Sequence, residues 1–522
     1  MLKKHKKILS FLLLLIILLL LFRIDYRFKT TVECCSDDYD YFLHASTLAL
    51  DFDLDYSNQN PRGYSFRLNN KNTPIGFFGS GLLSSPFLYL GNFISKSIGE
   101  DVSNVTLNYK LLFYSISSIF YLIAGYFLLF YSLKELKIKF DKYFLLLIFI
   151  SPGVGYFAFE RFSMTHPFEV FGVSLIIYSS IRFYQGNGSR IFNSALLPLS
   201  ILISYLTRMS NIYIFLLPFF VKKIMTKKNI EINNKILKDK FLLLFSLLSL
   251  MVFIYISIRL YGEIIINPQK IYGSNINLVS EVFQLGEFMS SFIKTNFYLL
   301  FSLEFGLLWV SPILFCGFIY ILSNLKDFYK LEYLIFVFAY LQNILIVYIW
   351  QAAGSSYGFR YLYSLIPLSI VVFYSYQNHF IFLKKYLLIF SIFSLLSLLF
   401  FETTTLTQLS TSDVTNTFGK NIRYSQPEYV KGLIMSFIKL ESYLIIFTTS
   451  FVGVVFFKIL LVFLSIENLN IFLEKLGLPV YNQDFQDYLI NVEALKIDKV
   501  IFIILFLSYI AYLIVFKIDS RK

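Results

Sequence analysis

Charge is the first scarcity. Only 15% of the 522 residues are charged, where a soluble domain carries about a quarter. Cysteine is scarce as well, with three residues in the chain. Cys34 and Cys35 are adjacent and Cys316 lies in an apolar run, so no disulfide framework and no zinc-type ligand spacing can be read. Two free thiols fit the Cys34-Cys35 pair better than a vicinal disulfide. There is also no repeat of fixed period and no stretch polar enough to form a soluble domain.

What is abundant is apolar surface. Hydrophobic residues make up 57% of the chain and aromatic residues 20%. They arrive in long runs, many near the ~20 residues needed to cross a hydrocarbon core. The runs are continuously apolar and not alternating, which specifies helices and excludes barrel strands. Phe and Tyr are so common that a single aromatic residue carries little weight as a ligand-stacking group. The formal charge of +13 lies mostly in short Lys/Arg clusters between apolar runs, as cytoplasmic loops do under the positive-inside rule. Membrane lipid is therefore an expected partner, and nucleic acid is not.

The fold class that follows is an all-α polytopic membrane protein with roughly 11–13 transmembrane helices. Residues 1–22 read as an uncleaved signal-anchor: Lys3-Lys4-His5-Lys6-Lys7 precede a short Leu-rich run, and no small-residue cleavage site follows. The N-terminus is then cytoplasmic, and residues 23–105 form a first extracytoplasmic loop. Spans are expected at about 106–132, 142–159, 168–184, 191–206, 210–221, 241–259, 303–322, 332–349, 361–376 and 386–401. Residues 402–522 form a C-terminal region of unassigned role, with further spans near 442–465 and 499–516 and a linker at 466–498.

Within the first loop, residues 30–61 hold Glu33, Asp37, Asp38, Asp40, Asp51, Asp53 and Asp55 and neither Lys nor Arg. A solvated acidic loop accounts for that composition alone. Two details add chemistry. Residues 41–50 form a short amphipathic stretch (Tyr41, Phe42, Ala45, Leu48, Ala49) able to lie at the membrane interface. Asp37, Asp38 and Asp40 stand immediately before it, where a carboxylate at the membrane surface becomes a better base. After Arg62, Arg67 and Lys71 comes a segment broken by Gly79, Gly81 and Pro86, read as a second interfacial or re-entrant helix. Elsewhere Glu160, Arg161, His166 and Glu169 cluster at a span exit, Arg208 interrupts an apolar stretch, and Arg360 closes a turn after Trp350. Charged groups at membrane depth usually face a cavity and each other.

Several of these stretches have a counterpart. Ser36-Asp37-Asp38-Tyr39-Asp40-Tyr41, followed by Leu50-Asp51-Phe52-Asp53-Leu54-Asp55, resembles the first extracytoplasmic loop of the GT-C membrane glycosyltransferases of bacterial, polyprenyl-phosphate-sugar-dependent type. Pro74-Ile75-Gly76 through Gly91 looks like their second juxtamembrane helix. Met164-Thr165-His166-Pro167, Leu206-Thr207-Arg208, Gly306-Leu307 through Ser311-Pro312, and the Trp350–Tyr361 loop follow in family order up to about residue 367. The chain departs from the pattern at Ser36, where a Gly is usual, and at Ala352-Ala353, where small glycines are usual.

The resemblance implies transfer of a sugar from a polyprenyl-phosphate-linked donor to a lipid, glycan or protein acceptor, with inversion, on the outer face of a bacterial inner membrane. Asp37 is then the expected general base, with Asp38 next. Arg360, Arg208 and Lys71 are the candidates for the donor phosphate, through charge-assisted hydrogen bonds. His166, Glu169 and Asp40 would orient the acceptor or a divalent ion; metal dependence stays open, since family members differ in it. The alternative is a transporter or flippase of lipid-linked glycans. A transporter is expected to spread charge along its spans and to show related halves; here the charges crowd one face.

Overall fold

A computed structural model of the chain describes residues 36–59, 69, 71–99, 109–159, 161–186, 188–233, 239–266, 270–271, 293–294, 296–297, 299–301, 306–350, 359–376, 381–399, 460–461 and 463–475. The expected signal-anchor, the Cys34-Cys35 pair, Glu160, most of the Trp350 loop, most of the 442–465 span and the 499–516 span lie outside the described residues. The chain divides into two units, one of residues 30–398 and one of residues 1–29 with 399–522.

The larger unit is built of helices joined by turns and loops, with no strand among its described residues. Its helices are α1 (Ser36–Ser46), α2 (Phe78–Ser97), α3 (Tyr109–Glu135), α4 (Lys142–Ile150), α5 (Val154–Phe159), α6 (His166–Gln185), α7 (Arg190–Thr207), α8 (Leu217–Lys227), α9 (Lys240–Tyr261), α10 (Leu307–Val310), α11 (Pro312–Ser323), α12 (Leu331–Trp350), α13 (Ile366–Ser375) and α14 (Ile381–Leu399). In the smaller unit, α15 (Ile466–Lys475) stands where the sequence reads as a linker.

By length and composition α3, α7 and α9 are each able to cross a membrane. α9 shows why a membrane is required. Leu243, Leu247, Leu250, Met251 and Tyr255 are all at least half exposed, a continuous apolar surface that water would not tolerate on a monomer. The protein is a membrane protein. Several expected spans are instead assembled from shorter pieces. The 142–159 segment breaks at Ser151-Pro152-Gly153 into α4 and α5. The 303–322 segment breaks at Ser311-Pro312, and the 361–376 segment opens with a 3₁₀ turn over Arg360–Leu365 before α13. Proline lacks the N–H that would continue a helix, so each break has a local cause.

The first loop differs from the expectation in two ways. α1 begins at Ser36, so Asp37 and Asp38 occupy its first turn instead of preceding it. Negative charge there complements the positive end of the helix dipole. Nor does the helix lie half in and half out: residues 40–47 are all buried. α2 covers it. Gly81 allows the contact, since a Cβ there would strike His44, while Gly79 lets α2 approach the end of α7 at Thr207. Phe42 packs edge-on against Tyr114 of α3 with centroids 5.2 Å apart. The His44 Nδ1 lies 2.7 Å from the Tyr56 hydroxyl, and burial pushes this imidazole down to about 3. α6 packs against α3, α7 and α8 and against the Arg360–Leu365 turn, so its first turn sits among the ends of several elements.

Candidate active site

The site is made from helix ends. The first turn of α1 supplies Asp37 and Asp38, and the next turn Asp40. The loop from Arg161 into α6 supplies Arg161, Thr165, His166 and Glu169. Arg208 is the residue where α7 stops: its φ of −156° and ψ of 97° leave the helical region. Arg360 opens the 3₁₀ turn.

Glu169 is the hub. Its Oε1 accepts from the Thr165 hydroxyl at 2.7 Å and from Arg208 Nη1 at 3.1 Å, while Oε2 accepts from Asn211 Nδ2 at 3.1 Å. His166 Nδ1 lies 3.0 Å from Oε1, but neither ring nitrogen has an aligned hydrogen-bond partner among the described residues. The imidazole is buried edge-on against Phe157, Tyr361 and Tyr363, at centroid distances of 4.6, 6.4 and 6.2 Å.

Tyr361 is the meeting point. The Arg208 guanidinium stands 4.3 Å from the centre of its ring and that of Arg360 5.4 Å, within the range at which a cation is attracted to an aromatic face. Arg360 Nη2 in turn lies 3.8 Å from Asp37 Oδ2. Asp37, His166, Arg208 and Arg360, which are widely separated in sequence, therefore come together around one tyrosine.

The two neighbouring aspartates have opposite surroundings. The Asp37 side chain is 41% exposed and that of Arg360 15%. Asp38 is fully buried and receives both Nε and Nη2 of Arg161 on Oδ2, at 3.1 and 2.5 Å. That pair joins residues 123 positions apart, and no local spacing announces it. Asp38 is thus committed to a guanidinium, whereas Asp37 is partly exposed beside Arg360. Asp40 is buried two residues further along α1. Lys71 stays outside the cluster, exposed on the segment leading to α2 and without an ion pair among the described residues. Tyr361 and Asn211 are the site residues that sequence reasoning missed; Tyr361 is the last letter of the Trp350 loop and was masked by the abundance of tyrosine.

A divalent ion needs several carboxylate or imidazole donors turned inward. Among the described residues no group of three or more His, Cys, Asp or Glu side chains converges in that way. Arg161 occupies Asp38, and Arg208, Asn211 and Thr165 occupy Glu169. What the site offers is one half-exposed carboxylate facing a guanidinium, with a second guanidinium on the adjoining ring.

No protein-family model matches the chain, and no curated protein does. Among solved structures it is similar to the apo form of the Archaeoglobus fulgidus oligosaccharyltransferase, with a TM-score of 0.37 and 11% identity over 94% of this chain and 64% of that one. The same enzyme tethered to an acceptor peptide containing the NVT sequon gives a TM-score of 0.36 and 12% identity, covering 93% and 63%. The archaeal oligosaccharyltransferase AglB in complex with an inhibitory peptide and a dolichol-phosphate gives 0.29 and 10%, covering 95% and 64%. The chain spans less than two thirds of the length of each. Scores this low carry no argument about activity, which has to come from the side chains.

Proposed function

We propose that this protein is a GT-C-type glycosyltransferase that moves a sugar from a polyprenyl-phosphate donor to an acceptor at the extracytoplasmic membrane face. One observation carries the reading: Asp37 and Arg360, from opposite ends of the described core, come within 3.8 Å beside the ring that holds Arg208. A carboxylate that is partly open to solvent, next to a cation, suits an acceptor that must lose a proton and a donor that must part from a phosphate.

Asp37 accepts the proton from the acceptor hydroxyl as that oxygen attacks the anomeric carbon, a contribution of about 10²–10⁴ in rate for a positioned base. The bond from the anomeric carbon to the phosphate oxygen breaks on the opposite side, so configuration inverts. Arg360 receives the charge that develops on the departing phosphate. Arg208, held by Glu169, adds a second positive charge at Tyr361. His166, whose Nδ1 lies 3.0 Å from Glu169 Oε1, orients the acceptor. Asp38 stays paired with Arg161 and Glu169 with Arg208, and Lys71 meets the lipid phosphate from outside the cluster.

The test is transfer from a labelled polyprenyl-phosphate sugar by the full chain in lipid nanodiscs, with a total membrane extract as acceptor. Arg360→Ala should reduce use of the donor by about 10²–10³, the usual loss for one transition-state charge donor. Unchanged donor use in that variant removes Arg360 from the phosphate site.

A further inference from the structure

We infer that Arg161 is a positioning residue: by holding Asp38 it sets the first turn of α1 and so aims Asp37 at Arg360. As a role in catalysis this rests on the glycosyl-transfer reading. As geometry it stands by itself.

The argument starts with how Asp38 is compensated. Its side chain is completely buried, and Oδ2 takes both contacts from Arg161. Oδ1 is buried with no hydrogen-bond partner among the described residues. Among the described side chains, the charge on Asp38 is therefore answered by Arg161. A buried carboxylate in a low-dielectric surrounding is costly without its partner, so the first turn of α1 is drawn to wherever the guanidinium lies.

That guanidinium is itself fixed. Arg161 is buried, and its carbonyl accepts the Met164 N–H at 3.0 Å, which closes the loop into a tight turn. Phe162 packs edge-on against Tyr114 at 5.8 Å, and the Tyr114 hydroxyl donates to Ser163 Oγ at 3.1 Å. Tyr114 also packs against Phe42 of α1. Loop, α3 and α1 are thereby joined at two points, the aromatic contact and the ion pair. Successive residues on a helix point about 100° apart. Locking Asp38 inward therefore fixes the direction of Asp37, the group that faces Arg360.

Lysine would keep the charge but lose the planar fork, so the two residues are not equivalent here. Removing both partners avoids a stranded buried charge and separates stability from positioning.

The experiment reads geometry without needing a substrate. In a chain with Cys34→Ser and Cys35→Ser, Asp37→Cys and Arg360→Cys are joined by a short bismaleimide in native membranes. With Arg161 present the pair should cross-link efficiently. Adding Arg161→Met should cut the yield severalfold, and adding Asp38→Asn as well should restore the melting temperature in detergent without restoring the yield. In the transfer assay, Arg161→Lys should lower kcat while leaving KM for the polyprenyl-phosphate sugar unchanged. Equal cross-linking with and without Arg161 overturns the inference, as does a double variant that regains full cross-linking. Poor cross-linking with Arg161 in place overturns it too. If the unaltered chain transfers no sugar while the cross-link still depends on Arg161, the positioning holds and the glycosyl-transfer reading fails.

Discussion

The two ends of α7 each carry an arginine that meets a buried carboxylate, and they do different things with it. At the start of the helix, Arg190 Nε lies 2.9 Å from Asp239 Oδ2. Asp239 also accepts from Ser194, and as N-cap of α9 from the Phe241 N–H. The Arg190 side chain is 60% exposed, so solvent screens the pair and its worth is small. Every contact of Asp239 has a structural purpose: it satisfies a helix terminus and ties two helices. At the other end, Arg208 is buried against Glu169, which caps no helix from outside and yet gathers three donors and a neighbouring imidazole. A carboxylate and a guanidinium concealed together cost desolvation that the fold itself does not require. The difference is the one expected if the Arg208 end belongs to the site proposed above and the Arg190 end to the scaffold.

Removing one partner at each end sharpens that contrast. Arg208→Met leaves Glu169 buried and uncompensated and should destabilise the protein by about 3–5 kcal/mol, seen as a large fall in melting temperature in detergent. A fall no larger than that of an exposed pair would erase the distinction between the two ends. Asp239→Ala removes an N-cap and should cost about 1 kcal/mol, with transfer unchanged in the folded fraction. Loss of transfer there would mean that the site extends further than α7. A third test addresses the burial of α1. The His44 imidazole titrates near 3 in the fold, against 6.5 when unfolded. Between those values the unfolded chain binds the extra proton, so stability is full above pH 6.5 and declines as pH falls towards 3. The melting temperature should show that acid slope, and His44→Gln should flatten it.

Much of the architecture was legible because hydropathy reports burial in lipid directly. The runs later found as α3, α6, α7, α9 and α12 appear in the sequence within a few residues of their observed limits. The start of α1 was misplaced because three aspartates look like a solvated turn, whereas Asp38 and Asp40 point inward. Broken spans were read as continuous, since an apolar count registers Ser311-Pro312 only weakly. The site was legible as a set of residues and not as a set of pairs. Asp37, His166, Arg208 and Arg360 each stood out as charge or imidazole near membrane depth. Which acid belongs to which arginine is decided by tertiary packing, and nothing in the local spacing of Asp38 names Arg161.

The central claim is that the exposed member of the aspartate pair is the base. The direct measurement compares the unaltered chain with Asp37→Asn in nanodiscs, recording transfer from a labelled polyprenyl-phosphate sugar alongside binding of the polyprenyl phosphate itself. The account predicts transfer reduced by about 10²–10⁴ with lipid-phosphate binding retained. Full transfer by Asp37→Asn would contradict it.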